Sequence, residues 1–462
     1  MAKPVDYSLY LVTHPIRSLE AIVESAIRGG ATIVQLRDKT SPRPDVVSTA
    51  NRLLTITRRC GVPLLINDDV RLAVEVDADG VHVGQDDMGV REARAILGGD
   101  KIIGVSVCCA REAVEACEGG ADYLGIGAVF ATPTKTDSRC QLGPSGVASI
   151  LAALVTSGYD SIPTVCIGGL DASNAARVLS SSRTPHKMLN GIAVVRAILQ
   201  APDPAAAAGK LWATVLAARV AGVMSRVVTQ RPLSHNMTNL VVQNFAASVA
   251  LAIGASPVMS SCGGEAHDLA KLGGGLVINT GTVTRGGLEE QLEALEAYNA
   301  AGRPVVLDPV GVGATRFRRE VVDTLLSRGR FTVIKGNASE MLALDDSPPI
   351  TQQQGVDSTC SLPSSTLAAL TKRLALRHSC AVILTGPTDH ISDGRLTVRL
   401  ENGDAMLSAV TGSGCALGAI LAATLSVCGD DVLLAAVAAV SVLNVAAEVV
   451  DVGGPGSLVA AL

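Results

Sequence analysis

Eight short apolar, β-branched runs recur through the first 200 residues, each followed by a stretch of helical character, and this alternation constrains the chain more than any other feature. They begin at Tyr7, Ala31, Pro63, Gly80, Lys101, Tyr123, Thr164 and Lys187. Strands that alternate with helices pair in parallel, and eight such units match a (β/α)8 TIM barrel. An open doubly wound sheet is the alternative layout for the same runs. After about residue 227 the pattern is again α/β, with strands LVINT, VVLDPV, TVIKG and AVILTG before an Ala-rich helical end. A chain of 462 residues is long enough for two cores, so the expected domains are 1–220 and 221–462.

Between them, APDP leads into AAAAGKLWATVLAARVAG, a strong helix former with Asp203 as N-cap and Pro204 behind it. The AAAAGKL segment is not a phosphate loop, because Pro204 and Leu211 stand where Gly and Ser or Thr are needed. Asp345 to Pro363, rich in Ser, Pro and Gln, reads as a surface insertion.

The net charge of -5, with scattered cations and 2% aromatics, supplies neither a basic stripe nor a stacking platform, so nucleic acid is not an expected partner. The longest apolar run, Val432 to Ala447, contains Ser441 and Asn444 and is shorter than the roughly 20 residues that span a bilayer. It reads as a buried helix, with no membrane partner. Eleven cysteines without a CxxC pair suit a reduced compartment, and MAKPVDYSLYLVTHP lacks a signal-peptide pattern, so a cytoplasmic location is expected. Apart from Cys415, discussed below, the cysteines are expected to fill core gaps as small hydrophobes.

In a barrel of this kind chemistry collects at the C-terminal ends of the strands. The second run ends in Gln35, Arg37 and Lys39, the third in Asn67 and Asp68, the fourth in His82, Gln85, Asp86 and Asp87, and the fifth in Ser106. The sixth runs into Thr132, Pro133, Thr134 and Lys135, and the seventh ends in Gly168 and Gly169. Arg37, Lys39 and Lys135 supply positive charge, Asp68 and Asp87 can hold Mg²⁺, and the Gly pair lets backbone N–H groups approach an anion. A cation facing basic groups suits a diphosphate leaving group.

These motifs, QLRDK, IND, GVHVGQDD, GVS, TPTK and GGL, resemble thiamine phosphate synthase over roughly residues 5 to 200. The resemblance implies that Gln35, Arg37, Lys39, Asn67, Ser106 and Lys135 hold an aminopyrimidine diphosphate, with Asp68 and Asp87 on its Mg²⁺. It also implies that Thr132, Thr134, Gly169, Val195 and Arg196 line a thiazole phosphate site. Arg196 departs from the family, which usually has Ser there. The implied mechanism is dissociative: diphosphate leaves, and the thiazole nitrogen attacks the pyrimidine methyl cation. A thiazole tautomerase-like barrel and a ligand-sensing barrel are the alternatives. Lys39, Lys135, Asp68 and Asp87 argue against the first, which needs no diphosphate site.

Near the C-terminus AVTGSGC, from Ala409 to Cys415, opens an apolar helix. A glycine-rich turn at a helix start forms an anion hole, since free N–H groups and the helix dipole point at it. DPVGVG from Asp308, KGNASE from Lys335 and LTGP from Leu384 end neighbouring runs, and the arrangement resembles the ribokinase-like fold. SHNMTN from Ser234, GASPVMS from Gly254 and the ending GSGC are similar to hydroxyethylthiazole kinase in particular, over roughly residues 227 to 462. A hydroxymethylpyrimidine kinase of the same fold is the alternative.

By this resemblance Cys415 is the catalytic base, Asn239, Met259 and Gly412 line the thiazole pocket, and Lys335 and Thr385 contact ATP, the co-substrate. Asp308 and Glu340 are candidates for organising Mg²⁺. A thiol is a modest base unless the helix terminus lowers its pKa. The resemblance further implies small-molecule substrates and a homo-oligomer, a trimer or a multiple of trimers.

Overall fold

The computed structural model describes residues 5–132, 141–184, 186–345 and 362–461. The chain divides into two compact units, Met1–Arg219 and Val220–Leu462.

In the first unit β1 (Leu9–Val12), β2 (Ile33–Leu36), β3 (Leu64–Asn67), β4 (Gly80–Val83), β5 (Ile102–Val107), β6 (Tyr123–Gly127), β7 (Thr164–Ile167) and β8 (Gly191–Val194) form a closed parallel barrel. β1 pairs with both β2 and β8, so no edge remains and the open-sheet alternative is excluded. Alternation along each strand decides which side chains face which layer. Leu9, Leu11, Val34, Leu36 and Val81 face outward into one continuous core beneath the helices. Tyr7, Tyr10, Val12, Ile33, Leu65, Tyr123, Val165 and Ala193 fill the interior. The interior therefore takes three of the chain's five tyrosines. Room for Tyr123 comes from Gly104 on β5, where an added Cβ would lie 2.1 Å from the Tyr123 Cζ.

The second unit holds an eight-stranded sheet in the order β10 (Ser256–Val258), β9 (Leu233–Met237), β11 (Gly275–Asn279), β12 (Val305–Asp308), β13 (Val333–Asn337), β14 (Ala381–Thr385), β15 (Asp389–Ser392), β16 (Thr397–Leu400). Strands up to β14 pair in parallel, and β15 and β16 add an antiparallel edge. The result is the mixed α/β layout expected of a ribokinase-like domain.

Helix Ser413–Val427 lies against β9, β11 and β12 and is buried from Ala416 to Leu425. Helix Val432–Val449 is capped by Asp431, whose side chain accepts from the Leu434 N–H. It has the length and hydropathy of a membrane span, as does Pro204–Gln230, but 56% of its apolar window is buried within the protein, as in a core helix.

The stretch after APDP is one helix, Pro204–Gln230, with Asp203 Oδ1 accepting from the N–H groups of Ala205 and Ala206 at 3.0 Å. Ala208, Leu211 and Val215 belong to the barrel core, and Val227 to a core cluster of the second unit. Most of the expected insertion, 346–361, lies outside the described residues. The cysteines correct one expectation: Cys166 and Cys428 are buried, but Cys60 and Cys262 are exposed and fill no core gap.

Two candidate active sites

The C-terminal ends of the barrel strands open into a cavity of about 520 Å³. Gln35, Arg37, Lys39, Asn67 and Ser106 line it, and Asp68 and Asp87 stand among them. Thr132, Gly169, Val195 and Arg196 line it as well. Thr134 and Lys135 lie outside the described residues.

Asp68 follows β3 in a left-handed conformation, φ 62°, uncommon for a residue with a side chain and typical of strain held at a functional position. Lys39 Nζ meets Asp68 Oδ2 at 2.6 Å, and Asp87 Oδ2 accepts from the Gly84 N–H at 2.7 Å. Burial pushes the Asp87 carboxyl above its usual range, the Gly84 N–H opposes this, and the neighbouring Asp68 carboxylate adds to it. Two carboxylates crowded in this way form a pair that a hard cation relieves. Among the described residues no three His, Cys, Asp or Glu side chains are grouped to hold a metal, so the other ligands of such a cation would be substrate oxygens and water. Gly168 and Gly169 line the cavity with φ of 106° and 65°, and a Cβ at either would collide with the segment Ala128–Ala131, so both positions require glycine.

In the second unit the strand ends converge on Cys415, in the first turn of helix Ser413–Val427. Asn239 Nδ2 and Asn279 Nδ2 donate to its Sγ at 3.3 and 3.2 Å. Asn279 Nδ2 also donates to Asp308 Oδ2 at 2.6 Å, while its Oδ1 accepts from Asn239 at 3.2 Å and from the Gly281 N–H at 2.9 Å. Lys335 Nζ contacts Asp308 Oδ1 at 2.9 Å and the Gly414 carbonyl at 2.7 Å, with 4% of its side chain exposed. Register explains the convergence, because Asn279 and Asp308 are partners at the ends of β11 and β12.

Gly412, the N-cap residue, has φ 94°, and a Cβ on it would lie 2.3 Å from Val242 Cγ1. Only glycine fits that turn. Thr385 stands at the end of β14 with Oγ1 donating to the Gly336 carbonyl at 3.3 Å. Met259 is half-buried and packs on an apolar cluster that includes Val227, Ala246 and Ala419, the last one helical turn beyond Cys415.

Burial and then the Asp308 charge push the Cys415 thiol up to about 11, although Lys335, Asn279 and Asn239 pull it down. The position at the helix start therefore does not produce a ready thiolate. Burial, with Asp308 again, pushes Glu340 up to about 7. Its carboxylate accepts from the Gly311 and Asn337 N–H groups, each at 2.9 Å. Asp308 and Glu340 are thus both engaged by protein donors.

Residues 9–198 match the thiamine monophosphate synthase family, and residues 224–461 match the hydroxyethylthiazole kinase family. A probable thiamine biosynthetic bifunctional enzyme of Schizosaccharomyces pombe is 38% identical over 97% of this chain and 90% of that one. The thiamine biosynthetic bifunctional enzyme of Saccharomyces cerevisiae is 36% identical over 90% of this chain and 86% of its own. The chain belongs to the family of bifunctional thiamine biosynthetic enzymes. It is a transferase twice over, a thiamine phosphate synthase in its first half and a hydroxyethylthiazole kinase, with ATP as co-substrate, in its second. The tautomerase-like, sensing and hydroxymethylpyrimidine-kinase alternatives are set aside.

Asn279 of the kinase half was not singled out in the sequence, where a lone Asn at a strand end looks like any turn former. In the synthase half the same holds for Tyr10 and Tyr123, which resemble ordinary core residues, while His82 stood out only as one polar residue among several.

Proposed function

We propose that the barrel cavity binds the aminopyrimidine diphosphate through Gln35, Arg37, Lys39, Asn67 and Ser106, with Lys135 joining them as the family resemblance implies. Mg²⁺ would sit between Asp68 and Asp87 and supply charge stabilisation for the departing diphosphate. Thr132, Gly169, Val195 and Arg196 form the thiazole phosphate side, with Thr134 joining them as the family resemblance implies. The C–O bond to diphosphate breaks first, and the thiazole nitrogen then closes a C–N bond onto the pyrimidine methylene. Arg37 and Lys39 hold the leaving group, and the enclosing cavity keeps water from the cation.

In the kinase half Cys415 takes the proton of the thiazole alcohol as the phosphoryl group arrives at the N-terminus of helix Ser413–Val427. Asn239, Gly412 and Met259 surround the alcohol, and Lys335 and Thr385 serve the ATP side. Lys335 acts there through its charge from beneath the Gly414 turn. A domain boundary inside helix Pro204–Gln230, a reduced cytosolic compartment and a homo-oligomer built on trimers complete the reading. The exposed Leu240 and Val241, directly after Asn239, support the last point.

The observation that carries the proposal is the convergence of the basic groups and the carboxylate pair on one cavity. Diphosphate release from the two barrel substrates, assayed with and without Mg²⁺, tests it. Release should require both substrates and collapse on chelation; metal-independent release would reject the Asp68 and Asp87 assignment.

A further inference from the structure

An unbroken line of hydrogen bonds crosses the interior of the barrel between two residues that face the cavity. Gln35 Nε2 donates to the Tyr10 hydroxyl at 2.7 Å, and Tyr10 meets the Tyr123 hydroxyl at 2.8 Å. Tyr123 meets His82 Nδ1 at 2.6 Å, and His82 Nε2 meets Ser106 Oγ at 2.8 Å. Tyr10 and Tyr123 are 1% and 0% exposed, so water cannot substitute for either link. Burial pushes both hydroxyls above the ordinary tyrosine range, so both remain neutral and carry one proton each.

With His82 neutral, a chain in which every link has one proton to give has only two self-consistent polarities. In the first, Gln35 donates, each hydroxyl passes its proton on, His82 accepts at Nδ1 and donates at Nε2, and Ser106 is left with its own proton to offer. Gln35 then presents its carbonyl to the cavity, where Oε1 has no hydrogen-bond partner among the described residues. In the second polarity everything is reversed: Gln35 presents an N–H to the cavity and Ser106 only a lone pair. The two ends cannot be set independently. An amine at Gln35 and an anionic oxygen at Ser106 both select the first polarity, whereas a ring carbonyl at Gln35 selects the second and turns a lone pair towards the anion.

We propose that Gln35, Tyr10, Tyr123, His82 and Ser106 form a relay that ties recognition of the pyrimidine's exocyclic amine to recognition of its diphosphate. Tyr10, Tyr123 and His82 are accordingly positioning residues that set the preference for an amino- over an oxo-pyrimidine. The inference rests on the reading in which Gln35 and Ser106 hold the pyrimidine diphosphate.

The test is steady-state synthase kinetics of the full chain with the 4-amino pyrimidine diphosphate and with its 4-oxo counterpart, at saturating thiazole phosphate and Mg²⁺. The wild-type chain should favour the amine by about 100-fold in kcat/KM or more, since a mismatched buried hydrogen bond is strongly rejected. Tyr10→Phe and Tyr123→Phe keep the rings and cut different links. Each should shrink that preference by about tenfold, because Gln35 is then free to turn its amide to either ligand. A merely structural role would lower the melting temperature or the activity on both substrates and leave their ratio unchanged. An unchanged ratio in either soluble variant overturns the relay. Failure of the wild-type chain to couple the amino substrate would instead overturn the underlying assignment of the cavity, and the relay with it.

Discussion

Cys415 receives two amide N–H groups at its sulfur, yet burial and Asp308 leave its thiol at about 11, so at neutral pH it is almost wholly protonated. If the thiolate is the base, its fraction grows about tenfold per pH unit below that value. Kinase kcat should therefore climb between pH 7 and 9.5, while Cys415→Ala should lower turnover by about 10²- to 10³-fold at the upper end and flatten the profile. Positioning and charge carry most of phosphoryl transfer, so residual activity is expected. Synthase turnover in the same variant should not change. A pH profile with the same slope in wild type and variant would remove Cys415 from the role. Arg196 supplies the barrel's counterpart. It is exposed at the cavity and has no ion-pair partner among the described residues, and Arg196→Ser should raise KM for thiazole phosphate about tenfold and weaken the salt dependence of KM, with kcat little changed. Cys415 was legible because it ends the glycine-rich motif that opens an apolar helix, and Arg196 because it directly follows the eighth strand run. Asn279 and Tyr123 were not, because what sets them apart is a partner distant in sequence: Cys415 for the one, His82 for the other.

At the scale of elements, the strands that could be read were those buried on both faces, since burial selects the short, mostly apolar runs seen in β1 to β8 and β11 to β14. β9 carries Ser234, His235 and Asn236, all buried, and the polar run SHNM conceals it. Ser234 Oγ donates to the Ala419 carbonyl at 2.9 Å, His235 Nε2 meets the Ser260 carbonyl at 3.0 Å, and Asn236 Nδ2 donates to the Ser234 carbonyl at 2.8 Å, while Asn236 Oδ1 has no partner among the described residues. β10 has only three residues, and β15 and β16 form the antiparallel edge, where the parallel-sheet pattern no longer applies. Glycine inside β5 looks like a weakness in a strand until the Tyr123 ring is placed over it. Gly104→Ala should therefore displace that ring and destabilise the barrel by about 1–3 kcal/mol, read as a lowered melting temperature of the synthase half. An unaltered melting temperature would mean that the barrel interior yields without cost.

For the whole molecule, Leu240 and Val241 are 74% and 72% exposed beside the kinase site, an unusual amount of apolar surface for a catalytic rim. Replacing both with Glu should reduce the oligomer measured by light scattering and depress kinase turnover with it; unchanged mass would reject this surface as the contact. Two domains were legible from length and from the repeated α/β pattern, and the boundary expected near residue 220 falls inside helix Pro204–Gln230, which carries no break in its periodicity to mark it. Its packing supplies the missing criterion. Ala208, Leu211 and Val215 are 0–1% exposed in the barrel core, so a fragment ending at residue 200 loses about 3–6 kcal/mol of apolar burial, a large share of an ordinary domain's stability. A fragment ending at residue 220 keeps all three. Separately expressed, residues 1–220 should form thiamine phosphate from the phosphorylated thiazole at a rate close to that of the intact chain, and residues 1–200 should melt well below them or fail to fold. Equal stability of the two barrel fragments would mean that the helix adds nothing to the barrel, and would move the boundary back to the end of β8.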